Sequence, residues 1–340
     1  MLGKFDNIRI AGVQATVPTR VIDNMLFAES IGGRRAKKFI EYTGISRRHL
    51  CVPNQSASDL SAYAADVLMD RIGWARDEIR ILVNVTQSAD LRAPSTAMVI
   101  QKRLGISDNC LAFDVNLGCS AYPSGIQIVS ALLQNIGGKG LLLVGDGMYY
   151  ELPEKPSMDS LLFGDGAAAT AIEISEGGNI FFTQNTDGSR FEVLYSNWNR
   201  EISMDGNAVL MMGLNEAVQS IINLRHFSGI SDEMIDYYVL HQAQKIIIDG
   251  ILKECDIDPS KSLISYDEYA NTSSATLPVT LSANVDKFVN KDKVKLYLCG
   301  FGVGLTWNGM ILDIDSRNIF PIIETDKTYA DIPGRRDDGV

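Results

Sequence analysis

Histidine is scarce in this 340-residue chain: only His49, His226 and His241 occur. That count excludes a histidine-rich metal site. The cysteines are Cys51, Cys110, Cys119, Cys255 and Cys299, an odd number with no C-x-x-C pair. The usual zinc spacings are therefore absent, no metal is expected, and the pattern fits a reducing compartment, the cytoplasm. Positive charge is short as well. Lys and Arg number 31 against 42 Asp and Glu, a net charge of −11. A global negative excess argues against duplex nucleic acid or an anionic membrane as the main partner, while leaving room for a local basic patch. The first residues, MLGKFDNIRIAG, lack the apolar h-region of a signal peptide. The longest uncharged stretch runs from Val115 up to, but not including, Lys139, and it carries Asn116, Pro123, Gln127, Gln134 and Asn135. It is too polar for a membrane span and reads as a helix buried on all sides.

What is present is a well-filled chain. The 46% hydrophobic and 21% charged fractions exclude a mostly disordered protein. The length allows two or three domains, or one large duplicated unit. A chain of this size buries roughly three quarters of its unfolded surface and needs no disulfide staples. Strand-type runs cover Ile8–Val13, Ile81–Thr86, Leu111–Val115, Leu141–Gly145, Ala167–Ile174, Tyr237–Leu240 and Lys295–Cys299. Helical stretches cover Ser58–Arg71, Thr96–Leu104, Cys119–Gln134, Ala208–Leu224 and Gln244–Glu254. The alternation predicts an α/β protein with sheets covered on both faces. Ser175-Glu176-Gly177-Gly178-Asn179 is the best junction between two halves. The residues from about Thr325, including Arg335-Arg336-Asp337-Asp338, read as a surface tail.

Four places could carry chemistry. Cys119 follows a strand and opens a helix, in Phe113-Asp114-Val115-Asn116-Leu117-Gly118-Cys119-Ser120. Unpaired N–H groups and the positive end of a helix dipole lower a thiol pKa, so the position points to a nucleophile. His241 follows the strand Tyr237–Leu240 and could serve as base or hydrogen-bond donor, although taken alone it reads as an ordinary core histidine. His49 and His226 read as structural or superficial. Asn271, in Tyr269-Ala270-Asn271-Thr272-Ser273-Ser274-Ala275, is either a polar turn or a neutral amide donor beside a developing anion. Gly300-Phe301-Gly302-Val303-Gly304 is neither a dinucleotide fingerprint nor a P-loop. It is a tight strand connection, or a loop that offers backbone N–H groups to an oxyanion.

The order of these pieces is more specific than any one of them. A cysteine at a strand-to-helix corner, then L-H-Q-A, A-N-T-S and G-F-G-x-G-x-T-W, resembles the thiolase-fold condensing enzymes, in particular the β-ketoacyl-acyl carrier protein synthase III branch. Further matching pieces are Thr43-Gly44-Ile45 with Arg47-Arg48, Ser58-Asp59-Leu60, Pro94-Ser95-Thr96-Ala97, Phe163-Gly164-Asp165-Gly166-Ala167-Ala168 and Thr306-Trp307. The resemblance spans nearly the whole chain. It implies a duplicated five-layered αβαβα fold, usually dimeric, with halves at 1–175 and 176–316 and a tail at 317–340. It implies that Cys119 accepts an acyl group and that His241 and Asn271 stabilise the enolate formed when a malonyl-type extender loses carbon dioxide. Backbone N–H groups of Cys119 and Val303 would form the oxyanion hole, and Phe301, Gly302 and Gly304 would border the substrate pocket. No cofactor is implied beyond the acyl-CoA or acyl carrier protein thioesters themselves.

The departures concern substrate. Relatives that load acyl-CoA often carry Trp and Arg shortly before T-G-I, whereas Lys37-Lys38-Phe39-Ile40-Glu41-Tyr42 has neither. Val303 stands where the family usually has glycine. A basic residue expected two places after H-Q-A-N is Ile246 here, with Lys245 as a substitute. Arg34, Arg35, Lys37 and Lys38, with Arg47 and Arg48 nearby, form a basic run that could steer an acidic acyl carrier protein or simply be a solvated face. Three functions remain: a decarboxylating ketosynthase, either in fatty acid initiation or in a specialised pathway; an acyltransferase moving the Cys119-bound acyl group to a hydroxyl or amine; and a non-catalytic partner subunit, which the retained cysteine argues against.

Overall fold

The structure, a computed structural model, describes residues 1–147, 158–197 and 202–332. Its strands are β1 (Leu2–Pro18), β2 (Arg20–Asp23), β3 (Arg47–Leu50), β4 (Ile79–Val85), β5 (Leu111–Val115), β6 (Lys139–Asp146) and β7 (Gly166–Thr186), followed by β8 (Leu194–Ser196), β9 (Ile202–Met204), β10 (Tyr237–Leu240), β11 (Lys293–Gly302), β12 (Thr306–Asp315) and β13 (Ile319–Thr325). Its helices are α1 (Asn24–Ile31), α2 (Arg34–Thr43), α3 (Ala57–Ile72), α4 (Thr96–Leu104) and α5 (Ala121–Ile136), then α6 (Gly206–Met212), α7 (Val218–Ser228), α8 (Lys245–Glu254), α9 (Tyr266–Tyr269) and α10 (Thr276–Ala283). Each strand and helix expected from the sequence has its counterpart here.

Period-2 alternation explains the layers. In β4, Ile81, Val83 and Val85 join one core, while Leu82 faces a second core with Leu141 and Leu143 of β6. In β11, Leu296 and Leu298 join the first core, while Tyr297 and Cys299 face a third. The shared first core also holds Ile126, Val129 and Leu133 of α5 and Leu277 and Leu281 of α10. These two helices therefore lie between two sheets. The second core belongs to α3 and α4, and the third to α7 and α8. The result is the five-layered αβαβα arrangement.

The two sheets repeat one pattern. In the first, β4 is parallel to β6, β6 antiparallel to β7, and β7 antiparallel to β1. In the second, β10 is parallel to β11, β11 antiparallel to β12, and β12 antiparallel to the far end of β7. Both β1 and β7 are long enough to run through both sheets, so the hydrogen-bonded network is continuous. The Ser175–Asn179 stretch lies inside β7, between the part that pairs with β6 and the part that pairs with β12, where the register with β1 shifts between Asp6 and Ile8.

The segment from 317 onward departs from expectation. It is no surface tail as far as residue 332. Ile319–Thr325 is a strand paired in parallel with β1. Beyond it, Gln55 donates to the carbonyls of Thr325 and Lys327, and Asp331 pairs with Arg103. The polar residues that suggested solvent are partners of buried groups. Arg335-Arg336-Asp337-Asp338 lie outside the described residues. No helix among the described residues is long and apolar enough to cross a membrane.

Candidate active site

Cys119 sits in the corner between β5 and α5, with Ser120 at the helix cap. The corner is held on several sides. A Cβ on Gly118 would lie 2.3 Å from Gln87 Oε1, so the Gln87 side chain packs directly against the backbone there. Asn308, on β12, donates from Nδ2 to the Ser120 carbonyl at 2.7 Å and to Ser124 Oγ at 2.9 Å, while its Oδ1 accepts the Gly300 N–H at 3.2 Å. Ser120 and Thr306 join through their hydroxyls. The end of β11 then packs onto the nucleophile, because a Cβ on Gly302 would lie 2.6 Å from the Cys119 Cβ.

Cys119 is buried, 8% exposed, and lines a cavity of about 730 Å³ with Gln87, Asn116, Phe163, Ser273 and Val303. The lining also includes Leu194–Ser196 of β8, Asn197 and Ile202 of β9. Of the glycine loop, Val303 is among the lining residues, whereas Phe301, Gly302 and Gly304 are not. Burial, followed by the Asp146 carboxylate, pushes the Cys119 thiol up to about 12, against a hydrogen bond from Ser273. Desolvation of the thiolate works against the lowering expected at a helix N-terminus.

His241 continues β10, and its N–H donates to the Cys299 carbonyl at 2.8 Å. That bond places it against β11, two to three residues from Gly302. The Phe301 ring meets it edge-on at 5.4 Å and 87°. The imidazole is 1% exposed, and its Nδ1 has no hydrogen-bond partner among the described residues. Burial holds its pKa down to about 3, so the ring is neutral throughout the physiological range. Gln242 fixes the following turn by accepting from Ser265 and Tyr266 N–H and donating to Leu240 and Leu263 carbonyls.

Asn271 lies between two left-handed residues, Ala270 (φ 59°) and Ser273 (φ 51°). Non-glycine residues in that region store strain, which the surroundings must impose. Asn271 Oδ1 accepts the Ser273 N–H at 2.9 Å and the Thr276 hydroxyl at 3.4 Å, leaving its amide nitrogen as the group turned to other work. Asn271 therefore reaches Cys119 through Ser273, and His241 reaches it through Phe301 and Gly302. Neither Asn271 nor His241 is itself among the lining residues of the cavity.

Three contributors were not singled out in the sequence. Asp146, at the end of β6, accepts from Thr86, from the Gln87 N–H at 2.7 Å and from the Ser274 N–H at 3.1 Å, tying the loops on both sides of Cys119 together. Ser273 touches the thiol, and Asn308 clamps the α5 corner. A carboxylate between glycines at a strand end, Gly145-Asp146-Gly147, was the available signal for the first.

The basic run divides. Arg34, Arg35 and Lys38 are exposed on α2 and make no ion pair among the described residues. Lys37 pairs with Glu29, and Lys245, at the start of the neighbouring α8, pairs with Asp249. Arg47 pairs with Glu268 on the surface. Arg48 does not belong to this face: it is 2% exposed, donates to Asn24 Oδ1 at 2.8 Å and lies over the Phe27 ring. His49 is buried in β3, bonded to the Pro18 carbonyl and stacked on Tyr269, while His226 is exposed. No group of three or more His, Cys, Asp or Glu among the described residues could hold a metal.

Comparison with known proteins bears on this arrangement. Residues 113–188 match the family described as 3-oxoacyl-[acyl-carrier-protein (ACP)] synthase III, and residues 226–314 match its C-terminal part. The chain is 30% identical to a β-ketoacyl-[acyl-carrier-protein] synthase III of Streptococcus pyogenes serotype M3, across 90% of this chain and 99% of that one. Its structure superposes on a 3-oxoacyl-(acyl-carrier protein) synthase of Burkholderia xenovorans LB400 with TM-score 0.92 at 28% identity, covering 96% of this chain and 99% of that one. Cerulenin-bound OleA of Xanthomonas campestris shares the fold at 22% identity and TM-score 0.81, covering 91% and 97%.

Proposed function

The chain belongs to the β-ketoacyl-[acyl-carrier-protein] synthase III family, and from that premise we propose that it condenses a Cys119-bound acyl group with a malonyl thioester. Cys119 Sγ attacks the carbonyl of an acyl thioester, and the departing thiol carries away the proton that Sγ gives up. The backbone N–H groups of Cys119 and Val303 receive the charge on the tetrahedral oxygen. A malonyl thioester then enters and loses carbon dioxide, and the resulting enolate attacks the acyl-cysteine carbonyl. The carbon–carbon bond forms as the C–S bond breaks, giving a 3-oxoacyl thioester and the Cys119 thiolate, which takes up a proton from water to regenerate the thiol.

The neutral state of His241 supports its part in this scheme. An imidazole held uncharged by burial, together with the Asn271 amide, would offer hydrogen bonds to a developing enolate oxygen. A carboxylate there would repel it. The observation that carries the reading is Cys119 on the wall of a cavity, hydrogen-bonded to Ser273 and packed on Gly302, with Asn271 and His241 behind those two neighbours.

The substrates would be delivered by an acyl carrier protein. The exposed Arg34, Arg35 and Lys38, with Lys37 and Lys245 alongside, offer a cationic face in a chain of net charge −11, suited to an acidic carrier. No further cofactor enters the scheme. A cytoplasmic homodimer is part of the proposal. Strand β5 is the outer strand of its sheet, with Leu111 exposed, and an open edge is a place for a second copy to pair.

Intact-protein mass spectrometry tests the reading. The protein is incubated with a panel of acyl-CoA and acyl-carrier thioesters, and malonyl carrier protein is then added. The expected result is an acyl adduct that Cys119→Ala abolishes and that malonyl thioester discharges as a 3-oxoacyl product. An adduct that persists with malonyl thioester but clears with an alcohol or amine overturns condensation in favour of transfer.

A further inference from the structure

One buried cluster takes no part in the scheme above. Arg103, near the end of α4, has a side chain only 1% exposed. Its guanidinium lies 3.3 Å from Asp59, 2.8 Å from Asp331 and 4.0 Å from Asp90. Arg103 Nη1 also donates to Ser58 Oγ at 2.7 Å, and that hydroxyl donates to Asp90. From the C-terminal segment, the Tyr329 ring covers the guanidinium at 4.9 Å, and the Tyr329 N–H donates to Asp59 Oδ1 at 3.3 Å.

Asp90 is the link to chemistry, because Asp90, Leu91 and Arg92 line the same cavity as Cys119. The last described residues of the chain and a wall of the reaction cavity therefore share one buried cation. Desolvating a guanidinium and its carboxylates is costly, and an apolar plug would close the surface at less expense. What the ion cluster supplies in addition is fixed geometry: bidentate contact from Asp331 and a relay through Ser58 hold the Asp90 carboxylate in one place.

We propose that residues 326–332 form a strap that positions the cavity wall at Asp90–Arg92 through Arg103 and Ser58, and so sets how the acyl thioester fits at Cys119. Arg103 and Asp331 are then positioning residues, and the inference rests on Cys119 being the acyl acceptor. Asp331 reaches the cluster from a segment far from the nucleophile in sequence. It touches neither Cys119, His241 nor Asn271.

The test is Asp331→Asn in the full chain. The guanidinium keeps Asp59 and Asp90, so the fold is expected to survive. Hydrogen exchange followed by mass spectrometry should show the 87–96 segment exchanging at least about threefold faster, with β6 and β11 unchanged. The KM for acyl thioester should rise about three- to tenfold while kcat stays within about twofold, and Asp331→Glu should restore both. Unchanged exchange at 87–96, or a uniform rise across the whole protein, overturns the strap. A wild-type chain that never acquires an acyl adduct overturns the reading of Cys119 instead, and the exchange result still decides whether the strap holds the wall.

Discussion

Replacing Gly302 by alanine adds one carbon where a Cβ would lie 2.6 Å from the Cys119 Cβ and 3.1 Å from its Sγ. Carbon atoms rest comfortably at about 3.5–4.0 Å, so the overlap is about 1 Å. Gly302 is not among the residues with positive φ, so alanine brings no backbone strain and the effect is steric. Gly302 is held in register opposite Thr306, which leaves Cys119 as the group that moves. A displacement of about 1 Å at a reacting atom costs on the order of 100-fold in rate, equivalent to about 2.7 kcal/mol of activation free energy. Overpacking adds about 1–3 kcal/mol of destabilisation, visible as a Tm lower by a few degrees. The assay is single-turnover acylation of Cys119, read by intact mass and normalised to folded protein. Gly206→Ala is the control, since a Cβ there meets nothing within 4 Å. A Gly302→Ala protein that acylates at the wild-type rate would refute the placement of β11 against the nucleophile.

Asn271→Ala should slow decarboxylation of malonyl thioester about 100- to 1,000-fold while leaving acylation of Cys119 within a few-fold; equal loss of both steps would make its role structural. His241 gives a pH signature. Its folded pKa of about 3 lies below the unfolded 6.5, so the unfolded chain binds the extra proton. Its contribution to stability is full above pH 6.5 and is lost as pH falls toward 3, with a slope of up to about 1.4 kcal/mol per pH unit. Urea unfolding at several pH values should show that slope flattened in His241→Gln, and an identical slope in both proteins contradicts the buried, neutral ring.

The parts of the site legible in the sequence are those where a reactive side chain stands at the end of its own element. Cys119 after β5 and His241 after β10 are read from local pattern, because strand periodicity and turn residues mark where each element stops. Asn271 was visible for the same reason, in a run of small polar residues before α10. Asp146, Ser273 and Asn308 were not, because their roles consist of contacts with residues 60, 154 and 188 positions away: Thr86, Cys119 and Ser120. The burial that raises the Cys119 thiol was not legible, because a helix end is a local feature and burial is not. Likewise, the polar residues after Thr325 suggest water until Arg103, more than 200 residues earlier, is known to be buried beneath them. Arg48 shows the converse, a charge in a basic run that the fold turns inward.

Strand β1 has a consequence for synthesis. It is made before its pairing partners, residues 167–183, Ile314 and 319–325. At about 5–20 residues per second, a translating ribosome takes roughly 15–60 s to supply the last of these partners. During that interval Ile8, Ile10, Val13 and Val17, all fully buried in the finished protein, have no complete sheet to enter. β7 can pair with one edge of β1 once residue 183 is made, but the other edge of this apolar strand waits for β12 and β13.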